Sequence, residues 1–429
     1  MFRPTPPVVA RLVRRSALAL AVAALVAVSV FATDGDPADL STVAQGAKVE
    51  TRALWVTRTT LSSPEAIREM VRAADAGGFN TLIVQVRGRG DAYYASTLEP
   101  RASELASKPG FDPLATVLAD AHAAGLKVHA WVAVNLVSSS VSLPAAREHV
   151  IYREPEWLMV PRELAAEMKK VDSRSPAYLG RLARWTRAHA TEVEGLYTSP
   201  VHPRAQAHAA AVIGELVQNY AVDGVHLDYV RFPNEDFDYS PSAIALFKAT
   251  ILPDMSEQER RQAAAREVLD PAAYPNLYPQ RWNRFRRDGL TALVTQVRTA
   301  IKAARPGVLL SAAVVPDAQQ AASSRQQDWR AWLDQSLLDV LCPMAYTTDT
   351  GVFAQQIEAA RDYAGDLPVW AGIGAYHLAQ AQTLQHIAAA RRLGAAGMIL
   401  FSYDALTAPP NSAGTLSELG RAAFGSGSH

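Results

Sequence analysis

Short apolar runs alternate along this chain with longer segments whose apolar residues recur every three to four positions. The runs RALWVTR (52–58), TLIVQVR (81–87), KVHAWVAVN (127–135), GVHLDYVRF (224–232), LLSAAVV (309–315), DVLCPMAYT (339–347), PVWAGIGAY (368–376) and GMILFSY (397–403) read as strands. Segments such as SPEAIREMVRAADAGG, FDPLATVLADAHAAGLK and TLQHIAAARRLGAAG read as amphipathic helices, each with a Gly near its end that hands over to the next strand. Strand-helix alternation implies parallel pairing, and eight such units predict an α/β fold of the (β/α)8 TIM-barrel type over 49–406. An open doubly wound sheet is the alternative, but no Gly-rich phosphate turn follows the first strand. Two connections are long, Leu136 to Tyr220 after strand three and Asn234 to Gly307 after strand four, and they are expected to wall the catalytic rim. The remainder, 407–429, is too short for a second domain.

The fourth run, within AVDGVHLDYVRFP (221–233), breaks the apolar pattern. Alternation puts His226, Asp228 and Val230 on one face and Val225, Leu227 and Tyr229 on the other. An unpaired buried charge costs several kcal/mol, so a carboxylate where a core strand would carry Val or Ile makes Asp228 the first candidate for chemistry. The bland alternative is a strand-end contact with Arg231 or His226. Reactive groups in such barrels gather at the C-terminal ends of strands. That rule selects Arg87 and Asp91 from strand two, and His129, Trp131 and Asn135 from strand three. It also selects Asp317 after strand five, Tyr346 and Asp349 after six, Trp370 in seven, and Tyr403 and Asp404 after eight. Carboxylates, amides and aromatics at one mouth suit sugars, whose hydroxyls need polar partners and whose C–H faces stack on rings.

Composition narrows the choice of partner. Of 429 residues, 42 are basic and 42 acidic, so no net field draws nucleic acid or an anionic membrane surface, and neither is expected as a partner. No H-x-H, H-E-x-x-H or Cys cluster offers metal-ligand spacing and no G-x-S-x-G elbow is present, so neither a metal nor another cofactor is expected. The single cysteine, Cys342, cannot close an intramolecular disulfide and reads as a small core residue. At the N-terminus Arg11, Arg14 and Arg15 precede an apolar run that ends at Val30-Phe31-Ala32. This predicts a signal peptide over 1–32 cleaved after Ala32, a polar linker over 33–48 and release into the periplasm or medium. The run is near the ~18-residue minimum for a spanning helix, so an uncleaved anchor stays open.

Taken in order, TRALWVTR, FNTLIVQVRGRGDAYYAS, GFDPL with AGLKVHAWVAVN, VDGVHLDYVRFP, QDWRAWLDQSLLDVLCPMAYT and GMILFSYD resemble glycosyl hydrolase-like family 10 across Thr51 to Leu406. The resemblance implies a barrel similar to α-amylase-like ones and a glycoside hydrolase of the bacterial envelope. Its substrate would be a polysaccharide such as peptidoglycan strands or another N-acetylhexosamine polymer. Asp228 matches the strand-four nucleophile of amylase-type barrels. In such a site Arg231 and Arg87 would hold Asp228 as the anion, and Asp317, Asp349, Asp91 and Asp404 are candidates for the second acid. His129, Asn135 and Tyr346, with His226, would orient hydroxyls, while Trp131, Trp370 and Tyr403 would supply stacking faces. The chain departs from the family in carrying Arg204 where relatives often have an acid after a Pro, and no Glu ends strand five. A catalytically silent glycan-binding scaffold and a metal-dependent barrel hydrolase are the competing readings.

Overall fold

Eight strands form in the predicted order: β1 (Thr51–Val56), β2 (Thr81–Arg87), β3 (Lys127–Ala133), β4 (Gly224–Asp228), β5 (Leu309–Val314), β6 (Val340–Pro343), β7 (Trp370–Ile373) and β8 (Gly397–Phe401). The computed structural model describes residues 49–425, so the expected signal peptide and linker lie outside the described residues. Every ladder is parallel, and hydrogen bonding runs β6-β5-β4-β3-β2-β1-β8-β7. The bridges Leu341–Val369 and Met344–Gly372 complete the ring between β6 and β7. The fold is therefore the predicted barrel, with helices outside it. At the β1/β8 seam Thr51 bonds to Ala396, and Glu50 forms an ion pair with Arg391 at 2.7 Å.

Strand alternation divides the hydrophobic residues between two cores. Leu54, Val84, Val128, Leu227 and Leu310 face the helices, whereas Trp55, Ile83, Trp131, Cys342, Trp370 and Ile399 fill the barrel. Glycines face several of the bulky rings inside the barrel. A Cβ on Gly372 would stand 2.9 Å from the Trp55 ring, and one on Gly224 would stand 2.3 Å from His129 Nδ1.

β4 is shorter than the pattern suggested and ends at Asp228 rather than Phe232. Tyr229 adopts φ 49°, a left-handed conformation costly for a bulky residue, and its N–H is taken by Asp228 Oδ1 at 2.6 Å instead of a neighbouring strand. Alternation stops there. Val230, expected to share the face of Asp228, lies fully buried among the helix-facing residues.

The long connection after β3 carries the helices Pro176–Ala188 and Pro203–Asn219 over a satellite core that includes Trp157, Tyr178 and Leu182. The connection after β4 carries Pro241–Ile251, Glu257–Glu267 and Pro279–Ala304, the last packed along Pro203–Asn219. Beyond Leu406 a further helix, Ala413–Phe424, lies against Pro64–Ala76, with Leu416 and Leu419 buried and Phe424 meeting Phe79 edge-on at 5.2 Å. Gly420 sets that approach, since a Cβ there would stand 2.2 Å from the Gly77 carbonyl oxygen. Backbone cannot yield as a side chain can. Gly420→Ala is therefore expected to destabilise by about 1–3 kcal/mol. Gly307→Ala, which meets nothing within 4 Å, should stay within about 0.5 kcal/mol of wild type. Urea melts of both variants check this, and equal midpoints would contradict the packing argument.

Candidate active site at the barrel mouth

Asp228 stands at the last position of β4, 7% exposed. Its Oδ2 accepts the Trp131 indole N–H at 3.1 Å, its Oδ1 accepts the Tyr229 N–H, and Arg231 Nη1 lies 3.8 Å from Oδ1. Burial pushes this carboxyl above the ordinary aspartate value of 3.8, against the pull of Arg231, the Tyr229 N–H and Trp131. The Arg231 guanidinium lies over the Tyr229 ring, 4.4 Å from its centroid, and extends its other arm to Glu194 Oε1 at 3.6 Å. Glu194 in turn accepts the Tyr197 hydroxyl at 2.7 Å. One guanidinium thus bridges two carboxylates, which puts them within about 10 Å of each other, in reach of the roughly 5–9.5 Å spacings that glycoside cleavage uses.

Glu194 is the residue that strand-end reasoning missed. It belongs to an extended segment of the third connection that runs antiparallel to the chain leaving β3, with Ser140 N bonded to Glu194 O at 2.9 Å and Val137 N to Leu196 O at 2.8 Å. Gly195 makes the approach possible, because a Cβ there would overlap the Ser138 carbonyl. The Glu-Gly pair ahead of Leu196-Tyr197 was the available signal.

Aromatic rings line the mouth beside Asp228. Tyr346 meets Phe401 at 5.6 Å, Trp55 at 6.2 Å and Tyr376 at 6.2 Å, and Tyr376 is 53% exposed. Burial and the charge of Asp228 hold the Tyr346 hydroxyl protonated. Trp55 and Phe401 were not among the predicted residues. Below them Trp55 Nε1–H donates to His226 Nε2 at 3.1 Å, and an indole nitrogen only donates. This assigns the His226 proton to Nδ1, which donates to Ser311 Oγ at 2.9 Å. Burial lowers the His226 pKa to about 3, so a neutral ring floors the site.

Other predicted residues lie elsewhere. His129 and Trp370 sit nearer the N-terminal end of the barrel, 5.3 Å apart between ring centroids, and His129 is held neutral by burial, with its pKa down to about 4. The face was right but the depth was not. Arg87 leaves the interior face at a register shift between Gln85 and Arg87 and pairs with Glu99 at 2.8 Å, not with Asp228. Glu99 also contacts His208 Nε2 at 2.9 Å. Burial would raise its pKa, but Arg87 and His208 outweigh that and bring it to about 2. Asn135 donates to the Thr198 carbonyl at 3.1 Å and braces the third connection. Asp317 and Asp349 are exposed and cap the helices Ala318–Ser324 and Thr350–Ala364 through the N–H groups of Gln320 and Gly351. Asp404 accepts Thr57 N–H at 2.8 Å and the Thr59 and Thr60 hydroxyls, lacing the loops after β1 and β8. Tyr403 is buried among helix-facing residues. Asp91 accepts the Arg89 N–H at 2.9 Å and lines a cleft of about 400 Å3. Among the described residues no cluster of three or more His, Cys, Asp or Glu could hold a metal.

Solved structures share this architecture. The glycoside hydrolase domain of PgaB (BpsB) from Bordetella bronchiseptica superposes with a TM-score of 0.59 at 15% identity, over 86% of this chain and 99% of that one. An α-L-fucosidase isoenzyme 2 from Paenibacillus thiaminolyticus gives 0.57 at 16% identity, over 87% of this chain and 49% of that one. The fold is that of the TIM-barrel glycosidases. Residues 50–381 match the glycosyl hydrolase-like 10 family, and the chain belongs to it. Glycosyl hydrolase YngK of Bacillus subtilis (strain 168) is 25% identical over 316 residues, 68% of this chain and 51% of that protein. Glycosyl hydrolase DigH of Escherichia coli (strain K12) is 26% identical over 288 residues, 63% of this chain and 55% of that protein. The chain spans about half the length of these relatives.

The neutral histidines make stability depend on pH. Both titrate near 6.5 once exposed but remain uncharged in the barrel down to about 3 for His226 and about 4 for His129. Between these limits the unfolded chain binds more protons, so acid favours unfolding. Stability is expected to be complete above pH 6.5 and to fall by several kcal/mol on the way to pH ~4. Urea unfolding at pH 7.0, 5.5 and 4.5 measures the slope, and a flat profile would count against neutral burial.

Proposed function

We propose that this chain hydrolyses glycosidic bonds in an envelope polysaccharide containing N-acetylhexosamines, with Asp228 and Glu194 as its two carboxyls. The observation that carries the reading is the Arg231 guanidinium set between those carboxylates at 3.8 and 3.6 Å. Glycoside cleavage needs two carboxyl groups flanking the scissile bond, one stabilising or trapping an oxocarbenium-like centre and one exchanging a proton with the leaving oxygen. Asp228 accepts two N–H groups and faces a guanidinium, which suits the ionised role. Glu194, less buried and on a connecting segment, suits the proton-exchanging role. The exposed Tyr376 ring and the Tyr346 and Phe401 rings behind it offer a platform for a sugar face. The names of YngK and DigH and the family membership support the reaction class.

Asp228→Asn keeps the shape and removes the charge, so turnover is expected to drop by about three or more orders of magnitude while glycan binding persists. Glu194→Gln should lose activity too, by about 100-fold or more. A digestion panel of peptidoglycan, peptide-free glycan strands and poly-N-acetylglucosamine, read by mass spectrometry, tests substrate and mutants together. Near wild-type cleavage by Asp228→Asn would refute the assignment, and binding without any cleavage would favour the silent scaffold. Burial raises the Asp228 pKa, so the acid limb of kcat/KM should lie above 3.8.

Export belongs to the same proposal, since an envelope glycan lies beyond the inner membrane. N-terminal sequencing of the mature protein is expected to begin at Thr33; an intact Met1 or apolar run would favour the anchored form.

A further inference from the structure

We infer that the cleft beside the mouth is a subsite for a carboxylate carried by the substrate, gripped by Arg58 and Arg89. This inference rests on the glycosidase reading and adds the charge of the glycan. Arg58 lies two residues beyond the end of β1 and Arg89 two beyond β2, so both stand on the rim that carries Asp228. The cleft they line holds about 400 Å3. Arg89 also lies within electrostatic reach of Tyr229, the residue after Asp228, and pulls against the burial that keeps that hydroxyl protonated.

Both guanidiniums are partly buried, and among the described residues neither joins an ion pair within 4 Å. Arg58 Nη1 has the neutral Gln85 Oε1 at 3.3 Å. The anions in the cleft are engaged otherwise: Asp91 accepts the backbone N–H of Arg89, and Glu104 accepts the Ser103 hydroxyl at 3.1 Å. Arg101, the third cation, is tied to the Lys108 and Phe111 carbonyls. Burial and the charge of Arg58 pull the Arg89 pKa below its ordinary value, against the opposing pull of Asp91, Tyr229 and Glu104. Two neighbouring guanidiniums without an ion pair of their own leave an electrostatic cost that a ligand carboxylate would reduce.

The loop between them is shaped for this. A Cβ on Gly88 would come within 2.7 Å of Arg58 Nη1, so glycine lets the guanidinium lie flat on the loop. At Gly90, with φ +71°, a Cβ would come within 2.8 Å of His149 Nε2, and that imidazole fixes the loop by bonding to the Arg89 carbonyl at 2.8 Å. Ser139 and Ser142 line the cleft with hydroxyls suited to a sugar. Guanidinium forks match the planar carboxylate bidentately, and a neutral sugar needs no such pair.

The test compares N-acetylhexosamine oligosaccharides bearing a carboxyl on alternate sugars with the same chains after methylamidation of those carboxyls, and with chains sulfated at equal density. Wild type is expected to show a kcat/KM about tenfold or more higher for the carboxylated than for the amidated chain, with the ratio shrinking as salt rises. In the Arg58→Gln, Arg89→Gln double variant the ratio should collapse toward one, while Arg89→Lys, which keeps the charge and loses the fork, should fall between. Thermal melting of each variant separates loss of the subsite from loss of the fold. Equal cleavage of both chains by wild type, or a ratio unchanged in a folded double variant, overturns the subsite and leaves the glycosidase reading standing. A preference for the sulfated chain overturns the carboxylate assignment. Failure of wild type to cleave any of the three overturns both.

Discussion

A carboxylate buried at a strand end must be met by donors, and the way Asp228 is met shapes the mouth of this barrel. Its Oδ1 takes the next backbone N–H, which ends β4 and turns Tyr229 into a left-handed conformation. That turn sends Val230 into the outer core and carries Arg231 back over the Tyr229 ring. Arg231 then reaches both Asp228 and Glu194 and so ties the third connection to the fourth strand. Removing the charge at Asp228 would leave a buried guanidinium facing one carboxylate instead of two. Strain, charge and the geometry of the mouth share one origin.

The barrel interior shows a second constraint, that of volume. Trp55, Trp131 and Trp370 crowd one barrel, and Gly372 and Gly397 supply the space that Trp55 and Trp370 occupy. The rings do more than pack. Two of them aim indole N–H groups at the site: Trp131 at Asp228 and Trp55 at His226. The Asp228 carboxylate and the neutral imidazole beneath it are therefore held by the same residues that fill the barrel.

Periodicity made the architecture legible, because alternation and helical spacing are local properties and eight strand-helix units leave few closed solutions. It also exposed Asp228, the one carboxylate on β4. Depth and bulges were not legible. His129 and Trp370 face inward as expected, yet they lie toward the far end of the barrel, since alternation fixes the face of a strand and not its height. Arg87 left the interior at a register shift that nothing in TLIVQVR announces. Asp317 and Asp349 follow strands but cap helices, the common fate of an aspartate at that point. Glu194 escaped because it reaches the mouth from a connection, through backbone pairing with a segment more than fifty residues earlier in the chain.

Ring closure bears on how the chain folds. β1 finds its second neighbour only in β8, and the ion pair that guards this seam joins residues 341 positions apart. Until β8 arrives, β1 presents an open edge of unpaired N–H and C=O groups, the kind of edge that recruits other chains. Closure of so long a loop comes late and slowly. Two outer contacts reinforce it: Asp404 gathers three threonines from the loop after β1, and the final helix packs across Pro64–Ala76. The segment from β8 onward is thus the latch for β1, and a truncation before β8 would release the edge of β1 without touching Asp228 or Glu194.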